Sequence, residues 1–183
     1  MMPEISLNIL DVTQNSVTAG ASLIHISIAG DSAADRLTVE ISDNGCGMTE
    51  EQVRNVTDPF FTSRKTRKVG LGIPFFKMAA EITGGSFQIQ SKVGQGTVTT
   101  ASFVLSSINR MPLGSMADTM SVLIGPNPHI DFVLTMEQDG RGFVMDTRSF
   151  REVLGDIPLS EPQVLNYIES YIRENMHDCC INL

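Results

Sequence analysis

The sequence predicts an α+β protein made of one domain of ordinary size followed by a smaller part. Apolar residues recur at helical spacing in some segments and alternate with polar residues in others, and the composition changes after residue 107. The chain has 183 residues, of which 42% are hydrophobic and 19% are charged, as in soluble globular proteins. We therefore expect residues 1–107 to form one domain and residues 108–183 a small α+β appendage.

The first predicted element is a helix over residues 4–19. Ile5, Ile9 and Val12 fall on one side at helical spacing, and Gly20 follows as a residue suited to end the helix. The next two elements are strands at 22–28 and 37–42, where apolar and polar residues alternate. The first half of the domain is therefore predicted to begin as a helix followed by two strands.

A short helix is predicted to begin at Thr49, because Thr49 and Gln52 have the spacing of a capping box, and to end before Pro59. A second helix is predicted at 73–83, with Pro74 in its first turn, where the missing N–H costs little.

Two further strands complete the predicted domain, and the appendage contains both helices and strands. The pair at 86–91 and 97–105 flanks a turn at Gly94-Gln95-Gly96. In the appendage, Asp139-Gly140 is a strong hairpin signal. The elements predicted there are a helix at 112–124, strands at 130–137 and 141–146, and helices at 147–155 and 161–175.

The charge, the hydropathy and the cysteine content of the chain indicate which partners and which compartment to expect. A net charge of −8 disfavours general binding to nucleic acid and docking on an anionic membrane surface. No apolar run approaches the roughly 20 residues that span a bilayer, and the N-terminus lacks the features of a signal peptide. Three cysteines fit a reducing compartment. We expect a cytoplasmic protein that binds neither nucleic acid nor membranes.

Two features indicate chemistry rather than packing. Asn8, Asp11 and Asn15 form a polar stripe along the first helix. The segment 70–73 opens a helix with glycines, an arrangement that exposes backbone N–H groups at a positive dipole end and suits an anion. The basic residues just before it add positive charge against phosphates; they are Lys65, Arg67 and Lys68.

Four motifs follow one another along the chain. They are the segment 11–22, Asp43-x-Gly45-x-Gly47, the stretch 58–62 followed by Gly70-Leu71-Gly72, and Gly94-Gln95-Gly96-Thr97. In this order they resemble the N box and the three glycine boxes, with F box and lid, of the GHKL superfamily of gyrases, heat-shock chaperones, histidine kinases and MutL. The resemblance covers about residues 4–105 and is greatest to small bacterial histidine-kinase-like ATP-binding proteins.

This resemblance implies the Bergerat ATP-binding fold, a two-layer α/β sandwich that holds ATP between its helices and a lid. At the adenine end, Asp43 would accept a hydrogen bond from the amino group, which guanine lacks at that position. Gly45 and Gly47 would let the backbone approach the base, and Thr97 would support it through its hydroxyl or a water.

At the phosphate end, the resemblance implies that Asn15 ligates a Mg²⁺ ion that bridges the phosphates. Gly70 and Gly72, with Leu71 between them, would cradle the phosphates beside Lys68. Asp11 occupies the place of the catalytic base.

The sequence departs from the family pattern at two of these positions. Many members carry a Glu where this chain has Asp11, which is one methylene shorter, and reach decides the competence of a general base before its pKa does. The second departure is Lys68, which replaces a glycine and makes the lid hinge stiffer and more basic.

Each of these residues also has an ordinary structural interpretation. Asp43 suits the turn after a strand, and Asp11 and Asn15 suit a solvated helix face. Within four ordered motifs, the functional interpretation is preferred. His177 with its neighbours is not interpreted as a metal site, since no second cluster of ligands accompanies it.

Three hypotheses for function follow. The leading one is a regulatory kinase-like module that binds Mg-ATP, lacks its own phosphoacceptor histidine because the ATP domain begins at residue 4, and phosphorylates an unidentified protein partner in trans. The second is an ATPase clamp of the MutL or gyrase type, for which ATP-dependent homodimerisation is expected. The third is a non-catalytic sensor of adenine nucleotides.

Overall fold

The computed structural model describes residues 3–57, 71–179 and 183, and its strands form one mixed six-stranded sheet in the order β3-β4-β2-β1-β5-β6. The strands are β1 Leu23–Asp31, β2 Arg36–Asp43, β3 Ser86–Lys92, β4 Gly96–Val104, β5 Asp131–Gln138 and β6 Arg141–Asp146. The helices are α1 Ile5–Thr18, α2 Glu50–Val56, α3 Gly72–Glu81, α4 Met116–Ile124, α5 Thr147–Leu154 and α6 Pro162–Asp178. The α+β prediction is confirmed.

Alternation along the strands gives the sheet one buried face. In β1, Ile24, Ile26 and Ile28 are fully buried, whereas the residues between them are half-buried. In an extended strand successive side chains point to opposite faces, so the buried set covers one face of the sheet. Helices α1, α3, α4 and α6 supply the other side of the core, which has two layers.

The capping box of the short helix α2 is confirmed. The Thr49 hydroxyl accepts from Gln52 N, and the Gln52 side chain accepts from Thr49 N. The helix ends at Val56, and Pro59, which was predicted to end it, lies outside the described residues.

The predicted hairpin at Asp139-Gly140 is also confirmed. Both residues have positive φ, at 51° and 79°, as a two-residue type I′ turn requires. Gln138 and Arg141 therefore face each other at the start of the antiparallel pair β5–β6.

The helix predicted at 112–124 begins four residues later, at Met116. The predicted start at residue 112 is therefore wrong. The carbonyls of Pro112 and Leu113 accept hydrogen bonds from Ile5 N and Ser6 N, which holds this stretch against the start of α1. Gly114 then has φ +83°, outside the helical region, and the Ser115 hydroxyl caps the new helix.

The C-terminal part adds two strands to the same sheet. β5 pairs in parallel with β1, opposite the side on which β2 pairs, and the connection from β4 to β5 passes through α4. Buried residues from both parts of the chain belong to one hydrophobic cluster. The division into residues 1–107 and 108–183 stays a prediction.

The described helices contain no segment with the length and apolarity required to cross a membrane.

Candidate functional site

The Asp43 carboxylate lies at the C-terminal end of β2, where two donors fix its orientation. The Ser16 hydroxyl of α1 donates to Oδ2 at 2.6 Å, and Gly45 N donates to Oδ1 at 2.9 Å. Asp43 is half-buried, and its neighbours in the sheet are Ile24 of β1 and Thr97 of β4. The carboxylate is therefore held in one orientation between two layers of the fold.

This arrangement leaves acceptor capacity on the carboxylate. An ionised carboxylate has about four lone-pair sites on its two oxygens, and Ser16 and Gly45 occupy one on each. Asp43 can therefore accept a further N–H from a ligand without giving up either internal bond. Its position at the end of a central strand makes it a fixed hydrogen-bond acceptor.

The turn after Asp43 is packed closely against its neighbours, which explains its glycines. A Cβ at Gly45 would lie 2.9 Å from the Cβ of Ala19, closer than side chains pack. Gly47 has φ +65°, and a side chain there would overlap the Lys92 carbonyl. The backbone of Cys46 bonds on both sides, its N–H to Ala19 O at 3.0 Å and its carbonyl to Gly94 N at 2.8 Å.

A hydroxyl pair supports the same end of the sheet. Thr97 lies directly opposite Asp43 in the β2–β4 pairing, and its hydroxyl is 2.9 Å from the Ser91 hydroxyl. Ser91 also donates to Gly96 O and accepts from Met48 N at 2.8 Å. Thr97 is therefore positioned beside Asp43, and the glycine turn is joined to strand β3 through Ser91.

Asp11 meets the start of α3. A Cβ at Gly72, the first residue of α3, would lie 2.8 Å from the Cβ of Asp11 and 3.4 Å from its Oδ2. Asp11 is exposed, and its carboxylate makes no hydrogen bond within the described residues. The absence of a side chain at Gly72 therefore allows α1 and α3 to pack with a free carboxylate beside a helix N-terminus.

The first backbone N–H groups of α3 have no hydrogen-bond partner among the described residues. No side chain of the described residues caps it, its N-cap Leu71 makes no capping bond, and Leu71 is 48% exposed. The first N–H groups of a helix lack partners within the helix and carry the positive end of its dipole. The N–H groups of Gly72 and Ile73 therefore suit an anionic ligand.

The polar stripe on α1 is divided between surface and interior. Asn15 is half-buried, and its carboxamide makes no hydrogen bond within the described residues. Asn8 is only 1% exposed, and its Nδ2 donates to Glu4 O at 3.2 Å. Asn8 is therefore buried in the packing of α1, where its Oδ1 has no hydrogen-bond partner, while Asp11 and Asn15 lie nearer the surface with polar atoms unpaired among the described residues.

The structure thus brings together most of the site residues predicted from the sequence. Ser16 and the turn join α1 to Asp43, the sheet register joins Asp43 to Thr97, and a close contact joins Asp11 to Gly72. Lys68 and Gly70, with the basic residues before them, lie outside the described residues.

Sequence reasoning assigned no role to two residues that the site depends on. Ser16 follows Asn15 within the first motif, but its contact with Asp43 joins residues 27 positions apart. Ser91 stands on β3 without any motif around it. Burial of a polar residue on α1 does not single out Ser16, because Ser6, Asn8 and Thr13 are buried on the same helix.

A solved structure shares this fold. The MutL ATPase domain of Aquifex aeolicus, complexed with ADP, superposes with a TM-score of 0.51 over 84% of this chain and 70% of that chain, at 14% sequence identity. At that identity the likeness concerns the fold, which is the GHKL ATPase fold.

Residues 2–107 match the family described as histidine kinase-, DNA gyrase B-, and HSP90-like ATPase. The match covers more than half of the chain, and the chain belongs to this family. It carries an ATP-binding module of the histidine kinase and MutL type.

Two similar relatives come from bacilli. Sensor protein DegM of Bacillus sp. (strain B21-2) is 27% identical over 101 residues, which are 55% of this chain and 27% of that protein. Sporulation kinase B of Bacillus subtilis (strain 168) is 30% identical over 95 residues, which are 50% of this chain and 22% of the kinase. The matched part of this chain therefore corresponds to about a quarter of each relative.

Proposed function

We propose that this protein is a regulatory module that binds Mg-ATP between α1, α3 and the end of β2, and that transfers the terminal phosphate to a partner protein in trans. The observation that carries the nucleotide part is the Asp43 carboxylate, oriented by Ser16 and Gly45 with acceptor capacity to spare.

Asp43 selects adenine in this proposal. The exocyclic amine of adenine is a donor, and guanine carries a carbonyl at the corresponding place, which would meet a carboxylate with repulsion. A site built around a hydrogen bond rejects an analogue that cannot form it, because a buried polar group then stays unpaired. Gly45 and Gly47 let the turn pack against Ala19 and Lys92, which keeps Asp43 in place, and Thr97 supports the base from β4.

The phosphates extend toward the start of α3 in this proposal. The N–H groups of Gly72 and Ile73, which have no partner among the described residues, bind them, and Leu71 contributes its backbone. Lys68 and Gly70, which the family resemblance assigns to the same cradle, lie outside the described residues. Asp11 lies beside this helix end, in the place of the base that orients or activates the attacking group.

The α1 residues fit a magnesium ion. Mg²⁺ favours oxygen ligands, keeps several waters and is held by few protein groups together with substrate phosphates. The unpaired carboxamide oxygen of Asn15 is such a ligand, and the described residues contain no cluster of three or more acidic, His or Cys side chains that would form a cage. The ion would neutralise phosphate charge when bound.

The proposed transfer of phosphate is supported by the similarity of this chain to kinases. Several similar proteins are named as kinases or sensor kinases, and the match covers 14–22% of their length. In this proposal the phosphoacceptor belongs to a partner protein.

A thermal melt tests the nucleotide site. Ligand at a hundred times its dissociation constant stabilises by about 2.7 kcal/mol, which for a chain of this size raises Tm by roughly 5–10 °C. We expect that rise with Mg-ATP and a much smaller one with Mg-GTP.

Asp43→Ala should abolish the rise, whereas Glu40→Gln on the same strand should keep it. A folded wild-type protein whose Tm does not move with Mg-ATP would contradict the proposal.

Transfer is tested by incubating the protein with γ-labelled ATP and candidate partners. Label on a partner that disappears with Asp43→Ala supports the kinase function. Binding of ATP without label on any protein under all conditions would remove the transfer step and leave the binding proposal intact.

A non-catalytic nucleotide sensor is the second candidate, and the shorter Asp11 favours it. In that case Mg-ATP binds, turnover is absent, and Asp11→Asn changes nothing. Under the transfer proposal, Asp11→Glu, which restores the missing methylene, raises turnover at least tenfold, a modest share of what a positioned base contributes. An ATP-dependent dimer in light scattering would instead favour a MutL-like clamp.

A further inference from the structure

An open apolar groove lies in the C-terminal part of the chain, in residues outside the segment that matches the family. It has a volume of about 1330 Å³ and lies between β6, α5 and α6. We call it the α5–α6 groove; its apolar lining includes Val144, Phe150, Val153, Ile157, Tyr167 and Tyr171.

Large apolar side chains of this groove face solvent. Val153 is 88% exposed, Tyr167 62%, Val144 53% and Ile157 52%. Single exposed apolar residues are ordinary, but a contiguous set lining one concavity marks an interaction site. The groove therefore presents apolar surface that the fold itself leaves uncovered.

The wall of the groove is preformed. Phe150 makes T-shaped contacts with Tyr167 and Tyr171, at centroid distances of 6.0 and 5.6 Å, and the Tyr171 hydroxyl donates to Val144 O at 3.3 Å. Rigid aromatic side chains lose little conformational entropy on binding and dominate the energetics of interfaces.

Helix α5 places one of its apolar residues in solvent beside the groove. Thr147 is its one buried residue, although Phe150, Val153 and Leu154 are apolar. A surface helix normally buries its apolar face in the core. In α5, Phe150 and Leu154 are half-buried and pack against the core, whereas Val153 is left 88% exposed at the groove.

The charge around the groove is acidic and unbalanced. Asp156 and Glu161 line it, and neither side chain has an ion pair or hydrogen bond within the described residues. The nearby arginines are already engaged, Arg148 with Asp146 at 2.7 Å and Arg151 with Asp131 at 3.1 Å.

The same imbalance extends over the whole C-terminal part. Residues 108–183 contain eleven acidic and five basic residues, so they carry most of the net charge of −8.

We propose that the α5–α6 groove binds a short segment of a partner protein in which large apolar side chains are flanked by Lys or Arg. The apolar residues would fill the aromatic-lined concavity, and the cations would meet Asp156 and Glu161. A second copy of this chain is disfavoured as the occupant, since two molecules of net charge −8 repel each other. This site is separate from the nucleotide site and does not depend on ATP binding.

The test uses the full chain and two fluorescein-labelled peptides in anisotropy titrations. One is a peptide of about 14 residues in which Leu and Phe repeat at helical spacing among Lys residues, and the other replaces each Lys with Glu. We expect the Lys peptide to bind at least tenfold more tightly, with an affinity that falls as salt rises, as for any screened charge interaction.

Variants assign the binding to the groove. Val153→Ser and Tyr167→Ser should each weaken the Lys peptide about tenfold without unfolding the protein, because both side chains are largely exposed. Asp156→Asn with Glu161→Gln should weaken it and reduce its salt dependence. Ile108→Ser, at a 98% exposed position outside the groove, and Glu137→Gln are the matched controls and should bind as the wild type does.

Equal binding of both peptides would overturn the proposal, as would groove variants that bind like the wild type. A concentration-dependent dimer that Val153→Ser abolishes would overturn it in favour of self-association. Because neither peptide carries a nucleotide, failure here leaves the melt with Mg-ATP unaffected, and the two proposals are tested separately.

Discussion

The Ser16 hydroxyl on α1 donates to Asp43 Oδ2 at the end of β2, at 2.6 Å and across 27 positions of sequence. With Gly45 N on the other oxygen, this bond fixes the plane of the carboxylate. A residue of helix α1 therefore determines the orientation of the acceptor at the end of strand β2.

Ser16→Ala should raise the Kd for Mg-ATP about tenfold. A hydrogen bond to a charged group contributes about 1.5–3 kcal/mol. Without Ser16 the Asp43 carboxylate keeps only the bond from Gly45 N and is less well oriented for the base. Each 1.4 kcal/mol lost corresponds to a factor of about ten in Kd. Calorimetric titration measures the change. Thr18→Ala, which removes an exposed hydroxyl bonded to Gln14 O on the same helix, should leave Kd unchanged, and an equal loss in both variants would refute a specific role for Ser16.

Gly72→Ala should destabilise the protein by about 1–3 kcal/mol, the usual cost of overpacking, although alanine ordinarily favours a helix over glycine. The reason is the 2.8 Å approach of the new Cβ to the Cβ of Asp11. Urea unfolding measures the effect. Because the contact is with Cβ and not with the carboxylate, adding Asp11→Asn should not relieve it; a more stable Gly72→Ala protein would show that α1 and α3 are not packed as described.

Asp35 should make stability depend on acid pH. The Ser106 hydroxyl, followed by the Ser106 N–H, holds the pKa of Asp35 below its ordinary value of 3.8. Because the pKa of Asp35 is lowered in the folded state, the stabilisation that its hydrogen bonds provide is complete above about pH 3.8. That stabilisation disappears as the pH falls through the pKa of the folded state. Asp35→Asn should therefore lower Tm at pH 6 and have little effect at strongly acid pH, and asparagine tolerates the positive φ of 52°.

Ser106→Ala, which keeps the carboxylate, should reduce the same pH dependence. Parallel Tm curves for the variants and the wild type across the acid range would contradict the assignment.

Thr147→Val should cost about 1–3 kcal/mol in the free energy of unfolding, because it leaves a buried donor unpaired. The Thr147 hydroxyl is fully buried and accepts from Phe132 N at 2.8 Å, which joins the start of α5 to β5. Valine keeps the shape and removes the acceptor. Thr147→Ser keeps the acceptor and should lose less; a larger loss in Thr147→Ser than in Thr147→Val would indicate that the methyl group, rather than the hydroxyl, is what matters there.

The candidate site was predictable where its residues are local in sequence. Glycines next to Asp43 and at the start of α3 signal close approach whatever the rest of the fold does. Ser16 and Ser91 form hydrogen bonds with residues far away in the sequence, and no local sequence pattern indicates which residue a serine will contact. Their roles depend on which helix packs over which strand end, which is a property of the tertiary structure.

In the fold, too, local features were predictable from the sequence and long-range ones were not. The Asp139-Gly140 hairpin follows from the backbone preferences of two residues, and the structure confirms it. The start of α4 did not follow from its apolar spacing, because Pro112 and Leu113 hold the start of α1 through their carbonyls. The parallel pairing of β5 with β1 is likewise long-range, and no local pattern specifies the neighbour of a strand.

That parallel pairing has a consequence for any shortened version of the chain. β1 contacts β5 from Leu23 to Gly30, so a fragment that stops near residue 107 would leave a row of bare N–H and C=O groups along a strand whose inner face is Ile24, Ile26 and Ile28. An open sheet edge of this kind is a template for strands of other molecules. In the full chain β5 covers this edge of β1, which leaves it unavailable for pairing with other molecules.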